Sequence, residues 1–180
     1  MKKDLKGFTL LELLIVIGIL AILATTVTLV LNPAEMLKQA RDSQRLGDLR
    51  SVHAAISIYA ATATSTEFAS CGSGCTNTGG TVSPFSAGGS CTQNASTTVD
   101  GTGWASPLDL RKTSGGAPLS KLPIDPSNGS TLYYAFKCAT ANTWEIDGIL
   151  ESDKYKSLMS NDGGSTSTHY EIGNDQDLNL

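Results

Sequence analysis

The chain has 180 residues, 13 basic and 17 acidic side chains and a formal net charge of −4. This length suits one domain with an appendage, not a large enzyme scaffold. The acidic balance, without any cluster of Lys and Arg interleaved with aromatics, argues against a nucleic-acid surface.

Residues 1–7 are a short basic leader, with Lys2, Lys3 and Lys6 against Asp4. Residues 8–31, FTLLELLIVIGILAILATTVTLVL, are nearly pure apolar. As a helix rising about 1.5 Å per residue they would span roughly 36 Å, enough for a hydrocarbon core of about 30 Å. A secretory signal has a shorter apolar region closed by a small-residue cleavage site. Here the small residue, Gly7, precedes the run. The three leader lysines flank one end directly and favour an N-terminus inside. Lys38, Arg41 and Arg45 lie farther from the other end, mixed with Glu35 and Asp42.

One acid, Glu12, sits near the start of the apolar run. A carboxylate at a central membrane position costs about 2.5–3.5 kcal/mol, and less near the interface. One reading has Glu12 snorkelling to the interface. Another pairs it with a positive group of a second subunit. Cleavage after Gly7 would create such a group, the α-amine of Phe8.

Lys6-Gly7-Phe8-Thr9-Leu10-Leu11-Glu12 resembles the class III signal of bacterial type IV prepilins and type II secretion pseudopilins. The resemblance is strong over about residues 1–60. It implies that a prepilin peptidase cuts between Gly7 and Phe8 and N-methylates Phe8, and that Glu12 guides entry into a helical filament. It further implies a homo-polymer built by an inner-membrane assembly platform. The subunit would first cross the inner membrane once, then stand in an extracytoplasmic filament at the cell surface.

Asn32-Pro33 interrupts the apolar run, so a kink or a fresh helix start is expected. Gly18 is a second weak point. Residues 32–61 read as an amphipathic helix, with Leu37, Ala40, Leu49, Val52, Ile56 and Tyr59 as its core stripe. Lys38/Asp42 and Arg45/Asp48 are spaced to pair along a solvated face. With residues 8–31 this helix could form one rod of about 50 residues.

Residues 62–180 form the C-terminal domain. In residues 62–106 Gly, Ser and Thr supply more than half of the positions. The stretch reads as a long irregular loop with a short strand near Thr98-Val99; the resemblance makes it the variable loop exposed on the fibre. Pro107-Leu108-Asp109-Leu110 opens a helical turn, and residues 122–129 are a dense turn block. Residues 132–138, 144–147 and 169–173 read as strands, with Trp144, Phe136 and Tyr133 or Tyr134 in the core. The expected fold is α+β: a long N-terminal helix, half membrane and half amphipathic, packed on a small antiparallel sheet beside a long Gly/Ser/Thr-rich loop.

Cys71, Cys75, Cys91 and Cys138 suit two disulfides in an oxidising compartment. Three pairings exist, and Cys71–Cys75 with Cys91–Cys138 is preferred. Zinc is the alternative, but there is no Cys-x-x-Cys pair and no nearby His. Pro123-x-Asp125-Pro126 is similar to the Pro-x-Asp-Pro-Trp-Gly stretch of major pseudopilins, near which a loop binds calcium, but Ser127-Asn128 stands in place of Trp-Gly. Asp147 to Asp153 and Glu171 to Asp177 offer oxygen ligands without the spacing of a calcium loop, so solvated turns are the expectation; no metal or other cofactor is assigned, and calcium is the alternative.

No catalytic motif is present, and His53 and His169 are isolated. The chain reads as a non-enzymatic filament subunit of a type IV pilus-like or type II secretion pseudopilus fibre. The rival reading is a monomeric, membrane-anchored, adhesin-like binding module.

Overall fold

A computed structural model of the chain describes residues 7–62, 67–71, 74–80, 91–139 and 142–176. The chain divides into two compact units, Met1–Leu37 and Lys38–Leu180.

In the first unit, α1 runs over Leu10–Leu31 without a break at Gly18. Thr9 caps its N-terminus. The threonines inside the helix return their hydroxyls to carbonyls one turn earlier. Thr26 Oγ1 donates to the Ile22 oxygen at 2.8 Å, and Thr25 Oγ1 to the Ala21 oxygen at 2.8 Å. These hydroxyls therefore present no unpaired donor in an apolar setting. α1 ends where Asn32, the residue before proline, turns left-handed at φ 38°. Pro33 then opens α2 (Pro33–Thr62), where its missing N–H costs nothing. Asn32-Pro33 is thus a fresh helix start. The first six leader residues lie outside the described residues.

In the second unit, α2 buries Leu49, Val52, Ile56 and Tyr59 at three- and four-residue steps, joined by Leu46 and Ala55. The expected stripe is corrected at its start, because Leu37 and Ala40 are exposed. The buried positions that follow are polar, Asp42 and Arg45. This stretch of α2 faces the Asp125 turn and the Glu151 segment, not apolar strands.

Among the described residues, five strands form one sheet: β1 (Cys75–Asn77), β2 (Thr92–Gln93), β3 (Tyr134–Ala139), β4 (Thr143–Gly148) and β5 (Tyr170–Gly173), in the order β2-β1-β3-β4-β5. β3, β4 and β5 form an antiparallel meander, and β1 pairs antiparallel with β3. β2 pairs parallel with β1, so the sheet is mixed. The expected sheet was antiparallel, and the Gly/Ser/Thr-rich stretch was expected to hold only a short strand near Thr98-Val99, yet β1 and β2 come from it. Thr98-Val99 forms no strand. Val99 packs partly buried against the core, and its carbonyl accepts from Leu110 N at 2.8 Å. The turn after Pro107 is a 3-10 turn over Leu110–Lys112, capped by Asp109.

Strand alternation sorts the side chains. Tyr134, Phe136, Cys138, Trp144 and Ile146 share one core with Leu49, Val52, Ile56 and Tyr59 of α2. Each such side chain contributes about 1.5–3 kcal/mol on full burial. Gly148 lets α2 approach: a Cβ there would stand 2.9 Å from Leu49 Cδ1. Trp104, fully buried, closes the same core and donates its indole N–H to the Pro123 carbonyl at 2.8 Å.

Alternation also corrects the disulfide pairing. Cys138 lies in the core facing α2, where Cys71 bonds to it. Cys75 is registered with Lys137, the neighbour of Cys138, and so points to the opposite face, where it meets Cys91. The bonds are therefore Cys71–Cys138 and Cys75–Cys91, with Cα separations of 5.4 and 4.7 Å.

Candidate functional site

The N-terminal junction is built from four residues. Phe8 is 91% exposed, and Thr9 is the N-cap of α1. Glu12 Oε2 accepts from Thr9 N at 2.8 Å and from Thr9 Oγ1 at 2.9 Å, and Glu12 N donates to Thr9 Oγ1 at 3.2 Å. This reciprocal capping box satisfies donors that a helix start leaves orphaned, and it sets the carboxylate at the positive end of the helix dipole. Within one chain, then, Glu12 is engaged at the helix mouth. A Cβ at Gly7 would meet nothing within 4 Å, so the fold itself does not require glycine there. Along α1, the segment Leu10–Thr28 is long and apolar enough to cross a membrane. Its large apolar side chains are exposed, among them Leu13, Ile17, Leu20 and Leu23.

A second constellation lies inside the C-terminal unit. Arg45, fully buried, donates to Asp125 at 2.6 and 3.1 Å, to Asp42 at 2.8 Å and to Glu151 at 2.7 Å. Arg41 grips Glu151 in a bidentate pair at 2.6 and 2.8 Å. Asp42 also accepts from Ser152 N at 2.7 Å, and Asp125 from Ser127 N at 2.7 Å. Burial works against the Arg45 charge, but the bonds to Asp125, Glu151 and Asp42 outweigh it and hold the guanidinium above its ordinary value. Arg41 in turn holds the Glu151 carboxyl down at about 2, against partial desolvation and with help from Arg45. The expected Arg45/Asp48 pair is not formed. Asp48 instead accepts the Tyr134 hydroxyl at 3.0 Å. Sequence spacing missed this hub because Asp125 and Glu151 reach Arg45 only through the tertiary fold.

A third constellation occupies the sheet face opposite α2. Glu145 and Asp147 on β4 and Glu171 on β5 bring carboxylate oxygens within 4.8 Å of one another, and all three side chains are buried. Burial first, then Glu145 and Glu171, push Asp147 well above the ordinary carboxylate range. Lys137 shares the face; burial lowers its ammonium while Glu145 and Asp147 hold it up. The two acidic segments noted in the sequence thus meet through Asp147 and Glu171. Both acids lie on strands and both are buried, contrary to the expected solvated turns; Asp177 lies outside the described residues.

The histidines stand apart. His53 packs on Trp144 with ring centroids 4.8 Å apart, and burial lowers its pKa. His169 is likewise lowered by burial and lies beside the Thr168 hydroxyl at 3.0 Å.

Residues 2–28 match the family model of the prokaryotic N-terminal methylation motif. No curated protein and no solved structure matches the chain. The matched motif is a pilin-type signal and not an enzyme signature; it implies processing by prepilin peptidase and, in general terms, pilus assembly. With its apolar helix directly behind Gly7 and Phe8, this chain carries the N-terminal methylation motif, the class III signal of type IV pilins and pseudopilins.

Proposed function

We propose that the chain is the structural subunit of a type IV pilus-like or type II secretion pseudopilus filament. Prepilin peptidase cuts between Gly7 and Phe8 and methylates the new amine. The precursor stands in the cytoplasmic membrane with Lys2, Lys3 and Lys6 inside and the disulfide-bonded unit outside. Assembly moves α1 from lipid into the fibre centre, where its apolar surface packs against the α1 helices of neighbouring subunits.

What supports this reading is the exposed apolar surface of α1 behind a methylation motif. Glu12 sets the stagger. Next to the amine of a neighbouring Phe8 its charge is compensated; out of register it is an uncompensated ion in a dry interface, which is costly. The mechanism is association, without catalysis by this chain.

The test is filament formation by an epitope-tagged chain expressed with its assembly machinery and viewed by immuno-electron microscopy. Wild type forms labelled fibres. Cleaved wild-type subunits that remain monomeric in the membrane would contradict the proposal and favour an anchored binding module.

A further inference from the structure

β1 reads Cys75-Thr76-Asn77, so alternation separates Thr76 from its two neighbours. The Thr76 hydroxyl donates to the carbonyl of buried Trp104, while Cys75 and Asn77 take the face opposite α2. β3 registers Lys137 opposite Cys75 and Ala135 opposite Asn77, so Lys137 and Asn77 are diagonal neighbours on that face. Thr78 N donates to the Tyr134 oxygen at 2.9 Å, which makes the next pair, Asn77–Ala135, a non-hydrogen-bonded one. Side chains approach most closely at such pairs. Diagonal partners there lie about 7–8 Å apart at Cα, within reach of the flexible four-carbon stem of a lysine. Ala135 offers only a methyl group, so the space beside Asn77 stays open to Lys137.

Asn77 is fully buried, yet among the described residues neither its amide nitrogen nor its amide oxygen has a hydrogen-bond partner. Burying a carboxamide without bonds is costly, and native chains seldom do so without a reason. Lys137 is only 2% exposed. Burial weighs against its ammonium, while Glu145 and Asp147 favour it. Glu145 is registered directly opposite Lys137 on β4 and is itself buried. One dry face therefore holds a desolvated amine, an unbonded carboxamide and a carboxyl group beside the amine. These are a nucleophile, an acyl donor and a proton carrier, in a place from which competing water is excluded.

We propose that Lys137 and Asn77 join in an isopeptide bond that ties β3 to β1. The Lys137 ammonium gives one proton to the Glu145 carboxylate. The Nζ lone pair then attacks Asn77 Cγ, and the Nζ–Cγ bond forms. A further proton passes from Nζ through the Glu145 carboxyl to Nδ2. The Cγ–Nδ2 bond breaks and ammonia leaves. Glu145 keeps the proton that the ammonium gave up, so the charge of the face is unchanged. Nothing is oxidised or reduced, and no co-reactant is consumed. The product replaces a buried amine and a buried primary amide with one secondary amide. It anchors a strand of three residues whose Cys75 already bonds Cys91.

The test is the intact mass and tryptic map of the full chain, purified in detergent, reduced and alkylated. Counted from its mapped N-terminus, the protein should be lighter than its sequence by one ammonia. Trypsin should fail to cut after Lys137, and a branched peptide should link Lys137 to Asn77. Lys137→Arg and Asn77→Ala should each restore the full mass. Glu145→Gln should stay largely unlinked. The wild-type readout does not depend on any variant folding. A wild-type chain of full mass, cut normally after Lys137, would overturn the proposal. Loss of ammonia without a branched peptide would equally overturn it and point to a cyclised asparagine, such as Asn128 before Gly129. Loss of one water, with the branch on Glu145 or Asp147, would refute Asn77 as the acyl donor.

Discussion

Glu12 Oε2 accepts both the backbone N–H and the hydroxyl of Thr9, at 2.8 and 2.9 Å. The acid is therefore pre-positioned at the helix mouth, bonded to the residue that follows the amine cleavage would release. The two residues have separable roles. Thr9→Ala removes a side-chain cap worth about 1 kcal/mol and leaves the carboxylate in place. Glu12→Ala removes the charge itself. Both variants should insert and be cleaved. Filament yield, scored by shearing and immunoblot, should fall to near background for Glu12→Ala and only modestly for Thr9→Ala. Normal fibres from Glu12→Ala would rule out the registration role.

The Arg45 hub predicts a large stability effect. Arg45→Met leaves Asp42 and Asp125 buried without their cation, at a cost of about 3–5 kcal/mol. Thermal unfolding should shift down by roughly 10 °C or more. Arg41, 35% exposed at its side chain, should matter less: Arg41→Gln should lower the unfolding temperature by only a small fraction of that shift. Equal shifts for the two variants would show that burial does not set the strength of these pairs.

Glu151 gives the hub a pH dependence. Its carboxyl is depressed to about 2 in the folded chain, so the unfolded chain binds the proton more readily. The stability it contributes is fully present above the ordinary glutamate range and is lost as pH falls through that range toward 2. Urea titrations at pH 7, 4 and 2.5 should show wild type losing stability on acidification. Glu151→Gln should start lower at pH 7 and lose less over the same interval. Parallel losses in the two proteins would remove Glu151 as the cause.

The two disulfides close loops of different length, with sequence separations of 67 and 16 residues. On chain entropy, removing Cys71–Cys138 should cost about 4 kcal/mol and removing Cys75–Cys91 about 3 kcal/mol. Non-reducing peptide mapping should recover those two linked pairs. A Cys71–Cys75 peptide would overturn the face assignment of β1.

The methylation motif was legible because its signal is local: a glycine, a phenylalanine and an acid at fixed spacing before an apolar run. The antiparallel strands were legible from alternation around Trp144 and Tyr134. Trp104 was not, since it lies in a Gly/Ser/Thr-rich stretch without periodicity and is buried only once Pro123 supplies its acceptor. The cysteine partners depended on which sheet face each Cys takes, which follows from register and not from spacing. Glu145 and Asp147 carried a readable sign, a two-residue step on a strand, but Glu171 joins them only through the β4–β5 pairing.

The central claim is that this chain is processed as a pilin-type precursor, and the mass of its mature N-terminus tests it most directly. Protein recovered from membranes or filaments should begin at Phe8, lack residues 1–7 and carry one N-methyl group on the Phe8 amine. A recovered chain that still begins at Met1, in cells whose prepilin peptidase is active, would contradict the account.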